Sequence, residues 1–222
     1  MTRTLDFERF RPDRDTLLWA GLLVNTELIL TFAYLLLSDA QVTEPRYLVY
    51  PFVWLNASVW AFVHADPVAR STRDRYVGAA VAVGYFLLLA RVGGVVAPGV
   101  GEHALGWRIA WLPPGWGPAV LYSGATVNLA LMPYKVVGYL ALAYLVYATV
   151  LDAAGSAVSG LLGLLSCVSC TWPVVATVAT GLTGSGAAVA TAATNFSYAI
   201  GTVVFVVTVG LLSWRPTLGG RT

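Results

Sequence analysis

The chain's two cysteines, Cys167 and Cys170, stand three residues apart in the run S-C-V-S-C-T-W-P, inside an uncharged apolar stretch. On a helix this spacing puts both thiols on one face, a turn apart, where they can form a local disulfide or give two sulfur ligands to one soft metal ion. Cu(I) is the favoured ion. Pro173 follows and has no amide to donate to the Ser169 carbonyl, so the helix is expected to kink beside the pair and open a turn toward the thiols. The competing reading is plainer, with each cysteine a small apolar residue and Pro173 a packing kink.

A second constellation is Glu27 and Lys135, opposite charges within separate apolar runs. A charged group at mid-bilayer costs about 2.5 to 3.5 kcal/mol on insertion scales unless it meets a partner or water. The two are expected to pair and fix helix register, or to line an ion or proton path, with Lys135 snorkelling outward as a third option. Little else suits bond-making. His64 and His103 fall at or beyond the ends of apolar runs, and Met1 and Met132 are the only methionines, so no His- or Met-rich copper relay or paired haem ligation is expected. No phosphate-binding glycine loop, zinc-ligand set or nucleophile elbow is visible, which leans the chain away from enzymes and leaves a copper ion as its one candidate cofactor.

The elements that must position these residues follow from composition. Hydrophobic residues make up 58% of the chain and charged ones 11%, with a mean hydropathy of +0.73, leaving too little polar surface for a soluble domain of this length. Apolar runs of helix length favour helices over a barrel, whose strands would be shorter and alternating, so the expected fold is an all-α bundle in the bilayer. The net charge of +2 is spread over loops and ends instead of one stripe, which argues against nucleic acid as a partner.

Six transmembrane spans are expected, at 16–37, 47–64, 76–97, 134–151, 156–180 and 187–212, making 16–214 one membrane domain between a cytoplasmic segment 1–15 and a cytoplasmic tail 215–222. Segment 1–15 is densely charged in both signs and lacks a cleavage site, unlike a secretory signal. Pro51 lies near the start of the second span, where a missing amide is tolerated. Residues 98–118, with L-P-P-G-W-G-P and Trp107, Trp111 and Trp116, are expected to form an outer loop folded back on the bundle, able to serve as a lid. Residues 119–132 are read as a short or re-entrant helix, with one kinked helix over 119–151 as the alternative. Gly155, Ser159 and Gly163 recur every four residues, a small-residue stripe for close helix packing. Nine of the 13 basic residues (3, 9, 11, 14, 70, 73, 75, 215, 221) then lie inside and four (46, 91, 108, 135) outside or within spans, which places both termini in the cytoplasm of a multi-pass cell-membrane protein. Its partners would be the lipid bilayer and other membrane subunits.

Locally, S-C-V-S-C-T-W-P and the Gly-rich turn after it resemble the intramembrane cysteine-proline motif of cytochrome c biogenesis and DsbD-type thiol-disulfide carriers, and also the first-span cysteine pair of mercuric ion transport proteins. The first resemblance implies electron relay by Cys170, the second hand-over of a soft cation by Cys167 and Cys170. Those carriers place partner cysteines in two spans, and the mercury proteins have adjacent cysteines. Over its whole length, in stretches such as Y-P-F-V-W-L-N, L-P-P-G-W-G-P and K-V-V-G-Y-L-A-L-A-Y-L-V-Y-A-T-V-L-D-A-A-G-S-A-V-S-G, the chain resembles a haloarchaeal family of multi-span membrane proteins. That resemblance implies an accessory or assembly role near copper and haem oxidases. The leading expectation is therefore an accessory protein that holds a soft metal or exchanges a disulfide. A small permease or channel subunit and a structural subunit of a membrane complex are the alternatives.

Overall fold

The computed structural model describes residues 14–38, 40–42, 44–69, 71–99, 101, 105–153 and 187–213. It forms two units, Met1–Gln41 and Val42–Thr222. The first contains helix α1 (Arg14–Leu37), an apolar helix with no buried residue. The second contains α2 (Arg46–His64), α3 (Thr72–Val92), strands β1 (Val96–Pro98), β2 (Gly106–Ala110), β3 (Ala119–Ser123) and β4 (Val127–Leu131), then α4 (Pro133–Ala153) and α5 (Ala187–Ser213).

The strands correct the all-α expectation. Between α3 and α4 lies a four-stranded antiparallel sheet in the order β1-β4-β3-β2. The stretch 119–132, expected as a short or re-entrant helix, is the β3–β4 hairpin, with Val120 opposite Leu131 and Ser123 opposite Asn128. Its reversal is closed by the Gly124 amide donating to the Val127 carbonyl at 3.0 Å. Each strand is five residues of mostly apolar side chains, and a short apolar run has no periodicity that separates strand from helix. The expected loop 98–118 contains β2, which pairs with β3 from Gly106–Ser123 to Ala110–Ala119. The span expected over 76–97 stops at Val92, where Gly93 and Gly94 end the helix and Gly94 takes a φ of +74°, a conformation open to glycine.

The expected six spans are also revised. Among the described residues, three helices are long and apolar enough to cross a membrane: Arg14–Leu37, Thr72–Val92 and Pro133–Asp152. Helix α2 spends much of its length on Tyr, Trp, Asn, Ser and His, which lower its hydropathy. Trp54 is turned inward, Tyr47 and Tyr50 are half-buried, and Trp60 and Phe62 stay exposed.

Helix α4 is the axis of the second unit. Tyr134, Tyr139, Leu142, Leu145, Val146 and Leu151 are buried along it, and it packs on α2, α3 and α5. Helix α3 approaches α4 through small residues: a Cβ on Gly78 would lie 3.1 Å from the Tyr147 ring, and Ala90 is buried. Its N-terminus is capped by Ser71, whose hydroxyl accepts from the Asp74 amide at 3.1 Å. Contacts fix the directions. Trp54 meets Tyr134 and Tyr139, whereas Phe62 and the Ala65 carbonyl meet Tyr144, so α2 and α4 run the same way. Helix α5 runs with them, since Tyr198 lies near the Tyr47 end through Trp116, and Phe205 stacks on Trp54. Helix α3 is opposed, with Gly93 beside Tyr139 and Gly78 beside Tyr147 and Leu151.

The link between β2 and β3 is tied down by a side chain. Pro51 lies beyond the first turn of α2, fully buried, and supplies no amide to the Tyr47 carbonyl four residues earlier. The indole Nε1 of Trp116 donates to that carbonyl at 2.7 Å instead. Gly115 beside it has a φ of +84° and a Cβ there would overlap Pro51, so the link reaches α2 only with glycine at this position. The Tyr134 amide donates to the Gly115 carbonyl at 3.2 Å, joining the same link to the start of α4.

Candidate functional site

Beneath this link, at the sheet end of α2, α3, α4 and α5, lies a half-open cavity of about 330 Å³. Its floor is an aromatic cluster. Trp54 stacks on Phe205 with ring centres 4.0 Å apart and takes the edges of Tyr134 at 5.4 Å and Tyr139 at 5.9 Å. The Trp54 Nε1 donates to Thr202 Oγ1 at 3.1 Å, and the Thr202 hydroxyl donates to the Tyr198 carbonyl at 2.8 Å, so the buried indole is satisfied within α5. The cluster needs Gly138, where a Cβ would overlap the six-membered ring of Trp54.

Among the described residues, Lys135 is the one formally charged side chain in the cavity wall. Its Nζ donates to the Gly93 carbonyl at 3.2 Å, at the C-terminus of α3, where exposed carbonyls and the helix dipole favour a cation. Gly93 has no side chain for a reason visible in the geometry: a Cβ would run into the Tyr139 hydroxyl. The amine of Lys135 and the hydroxyl of Tyr139, four residues apart on one face of α4, therefore converge on Gly93. The remaining wall is mostly apolar. Chemically the cavity offers two donors at one end and aromatic and aliphatic surface below, the make-up of a small-molecule pocket.

Of the residues expected from sequence, Lys135 is in this site. Glu27 lies midway along α1, in the first unit, half-buried and engaged in an interaction of its own. Cys167, Cys170, Pro173, Gly155, Ser159 and Gly163 lie outside the described residues, as do the expected span 156–180 and the segments 1–13 and 214–222. Among the described residues, no group of three or more His, Cys, Asp or Glu is placed to hold a metal ion. Sequence reasoning missed Trp54, Tyr134, Tyr139, Tyr198 and Phe205. A signal existed in Tyr47, Tyr50 and Trp54, whose spacing puts three aromatic rings on one face of α2.

The sheet has a surface of its own. Leu105, Trp107, Ile109 and Trp111 alternate along and beside β2, all more than half exposed, forming an apolar stripe on an edge strand. Trp107 leans on Tyr122 across the pair, 4.6 Å between ring centres.

Fold and cavity together define a class: an apolar helical protein whose helices are closed at one end by a small antiparallel sheet, with an aromatic cavity under that closure. The chain belongs to a family of unknown function, DUF7546, whose model matches residues 1–219. No curated protein and no solved structure matches it.

Proposed function

We propose that the protein is a multi-pass membrane protein acting as an accessory subunit of a membrane assembly, and that its working part is the cavity beneath the sheet, which holds an apolar molecule drawn from the bilayer. The observation that carries this reading is the cavity wall: aromatic and aliphatic surface with two convergent donors at one end, set among helices whose outer faces are apolar. Leu87 and Val83 on α3 and Val203 and Val207 on α5 are more than half exposed, which suits contact with lipid chains. Native mass spectrometry of the protein released from mild detergent tests it. A bound small molecule should appear in the wild type and vanish in Gly201→Trp, which places an indole at a cavity-wall glycine with nothing within 4 Å of its Cβ. Identical bare spectra from both proteins would refute the reading.

Three described helices, α1, α3 and α4, have the length and hydropathy to cross a bilayer, and α3 and α4 run in opposite directions as successive crossings would, which supports a multi-pass topology. In this topology the sheet is outside, its Trp107 and Trp111 stripe rests at the lipid headgroups, and the Arg73 end of α3 is cytoplasmic. Cysteines introduced singly at Arg108 and Arg73 in a cysteine-free background should label from opposite sides of sealed vesicles. Labelling from one side would overturn it.

The spacing of Cys167 and Cys170 favours a second reading, in which the accessory role is to hold Cu(I) or exchange a disulfide during assembly of a respiratory oxidase, in keeping with the resemblance to haloarchaeal membrane proteins. Thiol reactivity and copper content of the wild type beside Cys167→Ser/Cys170→Ser test it. Unreactive thiols, no copper and an intact phenotype in the double variant would remove this reading and leave the first in place.

A further inference from the structure

Resting on the cavity being a binding site, we infer that its ligand is an amphiphile with an acidic head group, the head held by Lys135 and Tyr139 and the chain running down the helices toward Leu142 and Phe205. Three features of the cavity lead there. The first is charge. Among the described residues, Lys135 is the only charged side chain in the wall, and the one polar contact the structure gives it is the Gly93 carbonyl at 3.2 Å. An ammonium has three hydrogens to donate, and one carbonyl takes one of them. An acidic oxygen beside the amine answers both the charge and the remaining donors, and the Tyr139 hydroxyl, brought to the same spot by the missing side chain of Gly93, adds a donor from the next turn of α4.

The second feature is the order of the wall along the helices. Lys135, Gly93 and Tyr198 lie at the sheet end, while Trp54, Leu142, Phe205 and Thr208 lie deeper. Lys135 and Leu142 are seven residues apart on α4, roughly 10 Å of helix, the length of a head group and the first part of a chain. A small free acid would leave the deeper aromatic surface uncovered. A neutral apolar molecule would leave the amine unanswered.

The third feature is access. Helices α3 and α5 each pack on α4 but scarcely on each other, and the wall residues Leu88 and Val92 on α3 and Tyr198 on α5 are more than a third exposed. The opening therefore faces sideways between two apolar helix surfaces, toward the chains of a bilayer. Two sources share the required chemistry, a fatty acid and an acidic phospholipid such as phosphatidic acid.

Full-length protein in nanodiscs of neutral phosphatidylcholine, titrated with brominated probes and read as the part of the tryptophan quenching that is lost in Trp54→Phe, distinguishes them. Dibromostearic acid or brominated phosphatidic acid should quench saturably, and whichever does so identifies the source. The acid should bind about tenfold or more tightly than dibromostearate methyl ester, as expected for loss of a charge-assisted hydrogen bond, and propionate in excess should not displace it. Lys135→Met should erase the preference for acid over ester, Lys135→Arg should keep most of it, and Tyr139→Phe should weaken it several-fold. Circular dichroism melting of each variant checks that the fold survives, and the arginine variant carries the test if the methionine variant does not fold. Acid and ester binding equally tightly, with neither changed in the Lys135 variants, would overturn the acidic head group while leaving the cavity reading intact. Displacement by propionate would likewise overturn the amphiphile in favour of a small acid. No saturable quenching by any probe, with Gly201→Trp indistinguishable from wild type, would remove both.

Discussion

The bond between Trp116 and the Tyr47 carbonyl makes a prediction in which one substitution should relieve another. Trp116→Phe removes the indole N–H and leaves the half-buried Tyr47 carbonyl without a donor, because the residue that would normally supply one is Pro51. An unsatisfied buried acceptor costs about 1–3 kcal/mol, and partial exposure puts this one in the lower half, about 1–2 kcal/mol. The smaller ring adds about 1 kcal/mol, since Trp116 is only 7% exposed. Pro51→Ala restores an amide in register with Tyr47 at the expense of two buried methylenes, about 0.8 kcal/mol each, a loss offset by the better helix. In the Pro51→Ala background the Tyr47 carbonyl keeps a donor whatever stands at 116. Trp116→Phe should therefore cost about 2–3 kcal/mol in the wild type and about 1 kcal/mol in the Pro51→Ala protein, a coupling of about 1–2 kcal/mol. For a chain of this size, 1 kcal/mol corresponds to roughly 2–4 °C, so the two backgrounds should differ by several degrees in the melting point followed by circular dichroism in mild detergent. Equal losses in both would mean that the carbonyl bond contributes nothing and that Trp116 acts by ring packing alone.

Gly138→Ala should destabilise by about 1–3 kcal/mol in the same melt, because its Cβ overlaps the Trp54 ring, while Gly210→Ala, with nothing within 4 Å, should be neutral or gain up to about 1 kcal/mol of helix propensity. Tyr144→Phe, which removes the donor to the Ala65 carbonyl at 3.0 Å, should cost about 1 kcal/mol in that assay without changing ligand binding in the cavity. Brominated lipids labelled near the headgroup should quench the wild type more than Trp107→Phe/Trp111→Phe if the β2 stripe rests on the bilayer surface, and equal quenching would place the stripe elsewhere. Glu27→Gln should leave solute flux in liposomes unchanged under the accessory reading, and flux present in the wild type but lost in the variant would favour a permease.

Long uniform runs were the legible part of this chain. Helices α1, α3 and α4 stand out because each holds a helix-length stretch of high mean hydropathy with few charges, a signal that survives any local ambiguity. The sheet was hidden because each strand is five residues or fewer and because β3 and β4 together, 119–131, have the length and hydropathy of a small helix. The better clue was Gly124 between two equal apolar segments, the mark of a hairpin. In the site, charge made Lys135 visible at once. Its neighbours were not, since Tyr139, Tyr198 and Phe205 become a cavity wall only when three parallel helices bring 54, 138 and 205 together. Gly93 and Gly138 looked like ordinary helix glycines. Their meaning depends on rings from other helices that fill the space a side chain would need.

The pairing of β1 with β4 also constrains how such a protein is made. The first and last strands of the sheet are partners, Val96 opposite Leu129 and Pro98 opposite Val127, so the segment between α3 and α4 cannot close until β4 has emerged. In the topology proposed above, with the sheet on the outer side, that whole segment would have to pass the translocation channel as an open chain during synthesis, and α4 could be inserted only behind it. Helix α3 would wait in the bilayer with its small-residue face uncovered until α4 arrives. A stall anywhere before Leu131 would strand a half-built protein with Gly78 and Ala90 facing lipid, the kind of intermediate that membrane quality control removes. In that topology, the sheet sets the timetable of insertion.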